Sequence, residues 1–145
     1  MKHKLLYLFL LLVIVATGCI KSSPKNQPAP TPSGTFKGEF KVIHRHTSTA
    51  NWDSVKTNIT VQFNTPGFTY LVSGLDTSTL HATSQGTFGV SAPYIHFTDA
   101  NTTGTAKTWH LNGYYIYNYD GTNLIMYVSS ADTLVAGYNL KKTSN

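Results

Sequence analysis

The sequence predicts an all-β domain over residues 34–145, most simply an eight-stranded up-and-down antiparallel β-barrel. Three observations support this fold class. The chain of 145 residues has a length that suits one domain, and its 21 Thr, 9 Tyr, 7 Phe and 11 Gly favour strands and turns. Apolar and polar residues alternate with a period of two from Gly34 onward. Turn residues separate the alternating stretches.

The first two predicted strands carry the clearest alternation. Phe36, Gly38, Phe40 and Val42 share one side of the first, and the odd positions from 55 to 63 share one side of the second. Such alternation is typical of antiparallel strands with one buried and one wet face. The other predicted strands cover residues 68–72, 82–90, 94–98, 109–119, 124–128 and 134–140.

Short connections between these strands favour pairing between sequence neighbours. Asp120-Gly121, between two apolar runs, is the strongest hairpin signal. Closure into a barrel would remove the two exposed edges of an eight-stranded meander, and Gly38, Gly86 and Gly113 are predicted to allow sharp bends. A barrel of this size is filled by side chains or holds one small ligand. A two-layer β-sandwich is the alternative, since the same alternation serves both folds.

The first 18 residues have the features of an export signal. Lys2 and Lys4 precede an apolar run of 11 residues, Leu5 to Val15, which is too short to cross a bilayer. Ala16-Thr17-Gly18-Cys19 follows and resembles the lipobox of bacterial lipoproteins. The resemblance implies cleavage before Cys19, a diacylglyceryl group on its thiol and an acylated amino terminus, such as a palmitate. The alternative is an ordinary secretory signal with a chance cysteine.

Cys19 is the only cysteine in the chain. An exported free thiol would be a liability, and lipidation removes it. The mature domain would then hold no cysteine, which excludes thiol catalysis and cysteine-type zinc sites. Residues 20–33 contain four prolines and mostly small polar residues, so residues 19–33 are predicted to form a lipidated cysteine with a Pro-rich tether. Ile20 stands at the position where the inner-membrane retention rule requires Asp, which favours an outer-membrane location. Whether the protein faces the periplasm or the cell surface stays open.

The charge of the domain is almost balanced. Residues 34–145 contain seven basic and six acidic residues, so the net charge of the whole chain, +5, comes mostly from the leader and tether. The chain has one arginine and no basic cluster along the sequence, so no nucleic-acid partner is expected.

The two ends of the domain resemble those of a known family. Gly34-Thr35-Phe36 opens the first strand, and Tyr138 to Lys142 close the last. This is similar to the small lipocalin-like lipoproteins of Bacteroidota and, more distantly, to the calycin superfamily, which opens with Gly-x-Trp and stacks a late basic side chain on the tryptophan. Phe36 stands at the Trp position here, and Lys141 or Lys142 would replace the usual arginine. The resemblance implies a barrel that binds a ligand, without identifying it.

The densest aromatic stretch, residues 109–119, supplies the candidate ligand site. Trp109, Tyr115 and Tyr117 share one predicted face. Tyrosine combines an apolar ring with a polar tip, which suits a cavity wall. The candidate wall for a small hydrophobic molecule comprises Trp109, Tyr115, Tyr117, Tyr70, Phe40 and His44. The alternative is that these side chains simply pack the core.

Metal binding and catalysis have weaker signals. His44 and His46 stand at i and i+2, as two ligands on one strand face would, but no third ligand follows at a diagnostic spacing. Two solvated histidines are the alternative, and no metal or cofactor is expected. The six acidic residues of the domain are dispersed, and no nucleophile motif is present. The chain is therefore not expected to be an enzyme, and a hydrolase is the minor alternative.

Two functional hypotheses follow. The first is a lipid-anchored envelope protein whose barrel encloses a small apolar molecule or lipid. The second is a module with a filled barrel that binds an envelope protein or glycan. An internal cavity of a few hundred cubic ångströms favours the first, and a solid core favours the second.

Overall fold

The computed structural model describes residues 30–73, 80–101, 108–130 and 133–144. These residues form an all-β domain, and no helix among them is long and apolar enough to cross a membrane. The strands are β1 Gly34–His44, β2 Asp53–Asn64, β3 Thr69–Ser73, β4 Ser84–Ser91, β5 Tyr94–Asp99, β6 Gly113–Tyr119, β7 Asn123–Ser130 and β8 Leu134–Ser144.

The strands close into one barrel in sequence order. Every strand pairs antiparallel with its sequence neighbours, and β1 also pairs with β8. β1 runs alongside β2 from the Gly34–Phe63 pair to the His44–Asp53 pair. The predicted eight-stranded up-and-down barrel is thereby confirmed, and continuous pairing around the ring excludes the two-layer sandwich.

Alternate side chains fill a single interior. Phe36, Phe40 and Val42 of β1 are buried, as their alternation predicts. On β2 the prediction is wrong at one position, because Val55 is 45% exposed and inward burial begins at Thr57. Val55 lies near the start of β2, beside the β1–β2 connection, although its partner Val42 on β1 is buried.

Two glycines permit the close strand approach that the barrel needs. A Cβ atom on Gly38 would overlap the carbonyl oxygen of Asn139, and one on Gly86 would overlap that of Thr98. Both overlaps are with backbone, which cannot rotate away as a side chain can. The prediction of bends at these positions therefore has a steric basis.

The barrel has two unlike ends. The tether end carries the start of β1 and the tight turns β2–β3, β4–β5 and β6–β7. There the Tyr117 hydroxyl donates a hydrogen bond to the Pro30 carbonyl at 3.2 Å, and the Thr65 hydroxyl donates to that of Pro32 at 3.3 Å. The loop end carries the longer connections β1–β2, β3–β4 and β5–β6, together with the short β7–β8 connection.

Two predicted strand boundaries are wrong. Residues 109–112 lie before β6, and Trp109 forms an isolated parallel bridge with His81. The Trp109 N–H donates to the Leu80 carbonyl at 2.9 Å, and its carbonyl accepts the Ala82 N–H at 2.8 Å. Phe68 lies in the β2–β3 turn with φ of 47°. In both places backbone hydrogen bonds outside the strand pairs override the alternating pattern: Trp109 bonds to residues 80–82, and the Phe68 N–H donates to the Thr65 carbonyl.

Candidate functional site

The predicted ligand wall is divided between core packing and the loop end. Phe40, Tyr70, Tyr115 and Tyr117 point inward and are at most 9% exposed. Trp109 and His44 are partly buried at the loop end. Tyr117 lies at the opposite, tether end, where it holds Pro30. The six residues therefore do not line one shared pocket.

Ring-to-ring contacts fill the tether-end half of the interior. The Phe36 and Phe63 rings meet edge to face with centroids 5.5 Å apart, and Phe63 lies 5.1 Å from Phe88. Phe97 joins this cluster to the middle of the barrel through Tyr70 at 5.1 Å and Tyr115 at 5.8 Å. Aromatic pairs in these geometries contribute about 0.5–1.5 kcal/mol each beyond the area they bury.

The loop-end half is filled by a second aromatic group. Phe40 lies 4.7 Å from both the His81 and Tyr138 rings and 6.0 Å from Trp109. Tyr138 in turn lies 5.5 Å from Tyr115. The two aromatic groups therefore form one continuous core, which is the arrangement expected of a barrel filled by its own side chains.

A buried polar chain runs through this loop-end group. His81 is 2% exposed, and its Nδ1 and Nε2 lie 2.7 Å from the Ala82 carbonyl and 2.9 Å from the Tyr138 hydroxyl. In the neutral ring, Nδ1–H donates to the carbonyl and Nε2 accepts from the tyrosine. The hydroxyls of Tyr138 and Tyr115 are hydrogen-bonded to each other.

Burial dominates the acid–base behaviour of this chain. Desolvation lowers the pKa of His81 from 6.5 to about 4, partly opposed by its hydrogen bond to Ala82. Desolvation also raises the pKa of Tyr115 and raises that of Tyr138 well above its usual value. All three groups are therefore neutral at physiological pH, as groups that pack a core should be.

An aspartate–histidine pair joins the end of β5 to the β5–β6 connection at the loop end. The Asp99 carboxylate lies 2.7 Å from His110 Nδ1 and also accepts the backbone N–H of Asn101 at 2.9 Å. The Asp99 N–H donates to the Asn112 side chain at 3.1 Å. Sequence reasoning missed this pair, because no motif or spacing relates two residues that stand eleven positions apart in different elements. The contacts tie the β5–β6 connection to the end of β5.

The two histidines considered as metal ligands remain a pair. The His44 and His46 rings lie 5.8 Å apart, edge to face. Within the described ranges, no group of three or more His, Cys, Asp or Glu side chains could hold a metal ion. Next to them the Arg45 guanidinium lies over the Trp52 ring at 4.6 Å. This part of the loop end is thus occupied by cation–π and ring contacts.

The outer surface of β5, β6 and β7 is unusually aromatic. Tyr94 on β5 pairs with Ile116 on β6, which pairs with Tyr127 on β7. In the next row, His96 stacks on Tyr114 with centroids 5.5 Å apart. We call this surface the tyrosine face; its side chains are Tyr94 (47% exposed), His96, Tyr114 (70%), Ile116 (38%) and Tyr127 (43%).

A hollow adjoins the tyrosine face on β8. Gly137 stands between Tyr127 of β7 and Lys41 of β1 in the cross-strand row. The missing side chain leaves a groove of about 240 Å³, with Ile125 and Asn139 along its wall. The groove is open to solvent and combines apolar, amide and charged groups.

The outer surface around β3, from Gln62 and Asn64 of β2 across to β4, is polar and uncharged. It forms an open groove of about 560 Å³ around the half-exposed Leu71. We call this surface the amide face; its outward polar side chains are Gln62, Asn64, Thr69, Gln85 and Thr87.

The barrel gathers lysines that are scattered in sequence. Lys41 and Lys56 are directly opposite each other on β1 and β2, and Lys37 and Lys141 are directly opposite on β1 and β8. We call Lys37, Lys41, Lys56 and Lys141 the lysine face. The sequence has no basic cluster along the chain, but strand register places Lys37 and Lys141, 104 positions apart, directly opposite each other. Lys142 is the register partner of Phe36 on β1.

No family model, curated protein or solved structure matches the chain. Functional arguments therefore depend on its own sequence and geometry.

Proposed function

We propose that this chain is a lipid-anchored protein of the bacterial cell envelope, most simply of the outer membrane, whose barrel binds its partner on the outer surface and performs no catalysis. The continuous aromatic core carries the second part of the proposal. Phe40, Tyr70 and Tyr115, which were candidates for a cavity wall, are at most 3% exposed and contact other rings. Space for an enclosed ligand would require these rings to move apart.

The anchor is proposed from residues 1–19. A basic head, an apolar run of 11 residues and Ala16-Thr17-Gly18-Cys19 support it, and these residues lie outside the described ranges. A single acyl chain gives marginal membrane affinity, whereas two or more hold firmly. The resemblance to small lipocalin-like lipoproteins supports the same localisation.

The tyrosine face favours a glycan as the partner, recognised through its uncharged sugar rings. Tyr94 and Tyr127 lie two strands apart, which is about 10 Å at the usual strand spacing. Exposed tyrosines at that separation offer ring faces for the C–H surfaces of neighbouring sugars and hydroxyls for their polar edges. Asn118 and Asn139 add exposed amides on either side of Ile125 in the adjoining row.

Sedimentation with purified peptidoglycan sacculi tests this partner. We expect the detergent-solubilised protein to sediment with sacculi, and the Tyr114→Ser/Tyr127→Ser variant to lose most of that binding. Leu71→Ser is the matched control, since it removes a partly exposed apolar side chain from the amide face. Equal losses in both variants, or no sedimentation of the wild type, would argue against a glycan site on the tyrosine face.

A small hydrophobic ligand at the loop end is the second candidate function. Trp109 and His44 are only partly buried there, and Leu80 and Leu134 pack against the same end of the core. Native mass spectrometry of the protein purified from cells tests it directly. A retained ligand whose mass is lost in Trp109→Ala would establish this candidate in place of the outer-surface module.

The anchor has an independent test. Metabolic labelling with a palmitate analogue should tag the wild type and leave Cys19→Ser untagged. Continued labelling of Cys19→Ser would contradict the assignment of the lipidated residue.

A further inference from the structure

The lysine face contains an unfavourable arrangement of charge. Lys41 is opposite Lys56, and Lys37 is opposite Lys141, in the barrel's own registers. Like charges directly opposite each other destabilise a sheet. Glu39, centred between the pairs, offsets part of this through its 2.9 Å ion pair with Lys56. The face therefore keeps an excess of positive charge.

The acidic residues described elsewhere in the domain leave this excess in place. Asp53, at the start of β2, accepts the Ser54 N–H at 2.7 Å and lies on the other side of that strand from Lys56. Asp99 is buried beside His110 at the loop end, and Asp120 accepts hydrogen bonds from the backbone of Thr122 and Asn123 in the β6–β7 turn. The near-zero net charge of the domain is thus unevenly distributed. Attraction to an anionic surface depends on such a local patch, because salt screens charges beyond about 10 Å.

The route of the chain brings this patch within reach of a bilayer. Lys37 is three residues from the start of β1, where the tether enters, and Pro30 is fastened to the barrel by Tyr117. Ten residues separate Pro30 from Cys19 in the sequence. Fully extended, that stretch spans about 35 Å, which is also about the length of an 11-residue strand such as β1. An anchor at Cys19 thus holds the lysine face near the surface at high effective concentration.

We propose that the lysine face docks the barrel sideways onto an anionic lipid bilayer surface. This inference depends on the proposed anchor at Cys19. β6, at the centre of the tyrosine face, is three strands from β1, at the centre of the lysine face, so the docked barrel turns Tyr94 and Tyr114 away from the lipid. Each lysine near an anionic surface contributes about a fivefold gain in binding. Removing two should weaken docking by about 25-fold.

Energy transfer from the barrel to the bilayer tests the docked orientation. The lipidated full chain is reconstituted into phosphatidylcholine vesicles, with or without phosphatidylglycerol, that contain an acceptor-labelled lipid. Donors are attached to Thr60→Cys, beside Lys37 in the β1–β2 register, or to Thr98→Cys on β5. Because Cys19 is acylated in the proposed mature chain, the introduced cysteine is the free thiol.

We expect the Thr60 donor to transfer more efficiently than the Thr98 donor on anionic vesicles at low salt. The difference should disappear at high salt, on neutral vesicles and in Lys37→Gln/Lys141→Gln. Thr69→Glu/Gln85→Glu is the matched control, since it lowers the net charge by the same two units on the β3 and β4 part of the amide face and should keep the difference.

Each other outcome is decisive. Suppose that the protein still floats with the vesicles, so that the anchor holds. Equal transfer from both positions on anionic vesicles, or greater transfer from Thr98, then overturns the docking proposal alone. Loss of the difference in both double variants assigns it to net charge and overturns the role of the lysine face. Failure of the protein to float with vesicles at high salt, by contrast, overturns the anchor itself.

Discussion

The buried His81 should make this barrel sensitive to mild acid. Folding lowers its pKa from 6.5 to about 4, because desolvation in the core disfavours the imidazolium. The unfolded chain therefore binds a proton below pH 6.5 that the folded chain does not accept until about pH 4. The contribution to stability is complete above pH 6.5 and is lost as the pH falls between these two values.

The size of this effect follows from the shift in pKa. At about 1.4 kcal/mol per pH unit, a fall from 6.5 to about 4 corresponds to about 3 kcal/mol of unfolding free energy. Small domains have stabilities of about 5–15 kcal/mol, so the loss should be plainly measurable. Its main physical origin is the desolvation of the buried imidazolium, and protonated Nε2 also can no longer accept the hydrogen bond from Tyr138.

Urea unfolding followed by circular dichroism at a series of pH values from 7.5 to 4 measures this loss. His81→Gln keeps a polar side chain without the titration, so its unfolding free energy should vary less with pH over this range. His46→Gln is the matched control, since it removes an exposed histidine and should keep the wild-type slope. An unchanged slope in His81→Gln would refute the assignment of the acid sensitivity to the buried ring.

Three further predictions concern the close approach of strands at Gly38, the core at Phe36 and the tether end at Tyr117. Gly38→Ala should destabilise the barrel by at least about 1–3 kcal/mol in urea unfolding, because the added Cβ overlaps backbone atoms. Gly137→Ala is the control and should be nearly neutral, because no neighbour lies closer than 3.6 Å to its added Cβ. Equal effects of the two substitutions would contradict the close-approach argument. Phe36→Ala should cost about 3–5 kcal/mol in the same assay, and a cost under about 1 kcal/mol would mean that the core is less tightly packed than described. Tyr117→Phe should leave the free energy of unfolding almost unchanged but speed proteolysis next to Pro30, because it removes the hydrogen bond that fastens the tether. An unchanged cleavage rate would show that packing alone holds that segment.

The strand order could be predicted because its signals are local. Alternation places Phe36 and Phe40 on one side of β1, and Asp120-Gly121 selects a tight hairpin whose carboxylate accepts neighbouring backbone N–H groups. Alternation could not separate residues 109–112 from β6, because they have the same composition as the strand. Their backbone bonds to residues 80–82 decide the boundary, and that partner is remote in sequence.

The candidate sites were harder to predict, for the same reason. Inward positions of Tyr70 and Tyr115 followed from alternation, but whether they line a cavity depends on how rings from several strands interlock. The Asp99–His110 pair needs the β5–β6 connection to fold back onto the end of β5, and the lysine face needs the registers of three strands. A shift of one residue in any register would turn those side chains to the other surface.

By itself the sequence determined that this is an all-β domain of eight neighbouring strands and which side of each strand is apolar, since both depend on spacing along a short segment. It also supplies the whole argument for the anchor at Cys19. The tertiary structure alone decided that the interior is filled, that like-charged lysines stand opposite each other, and that aromatic and basic surfaces lie on different sides of the barrel. These properties depend on strand register and side-chain volume, which are set only when distant parts of the chain close into a ring.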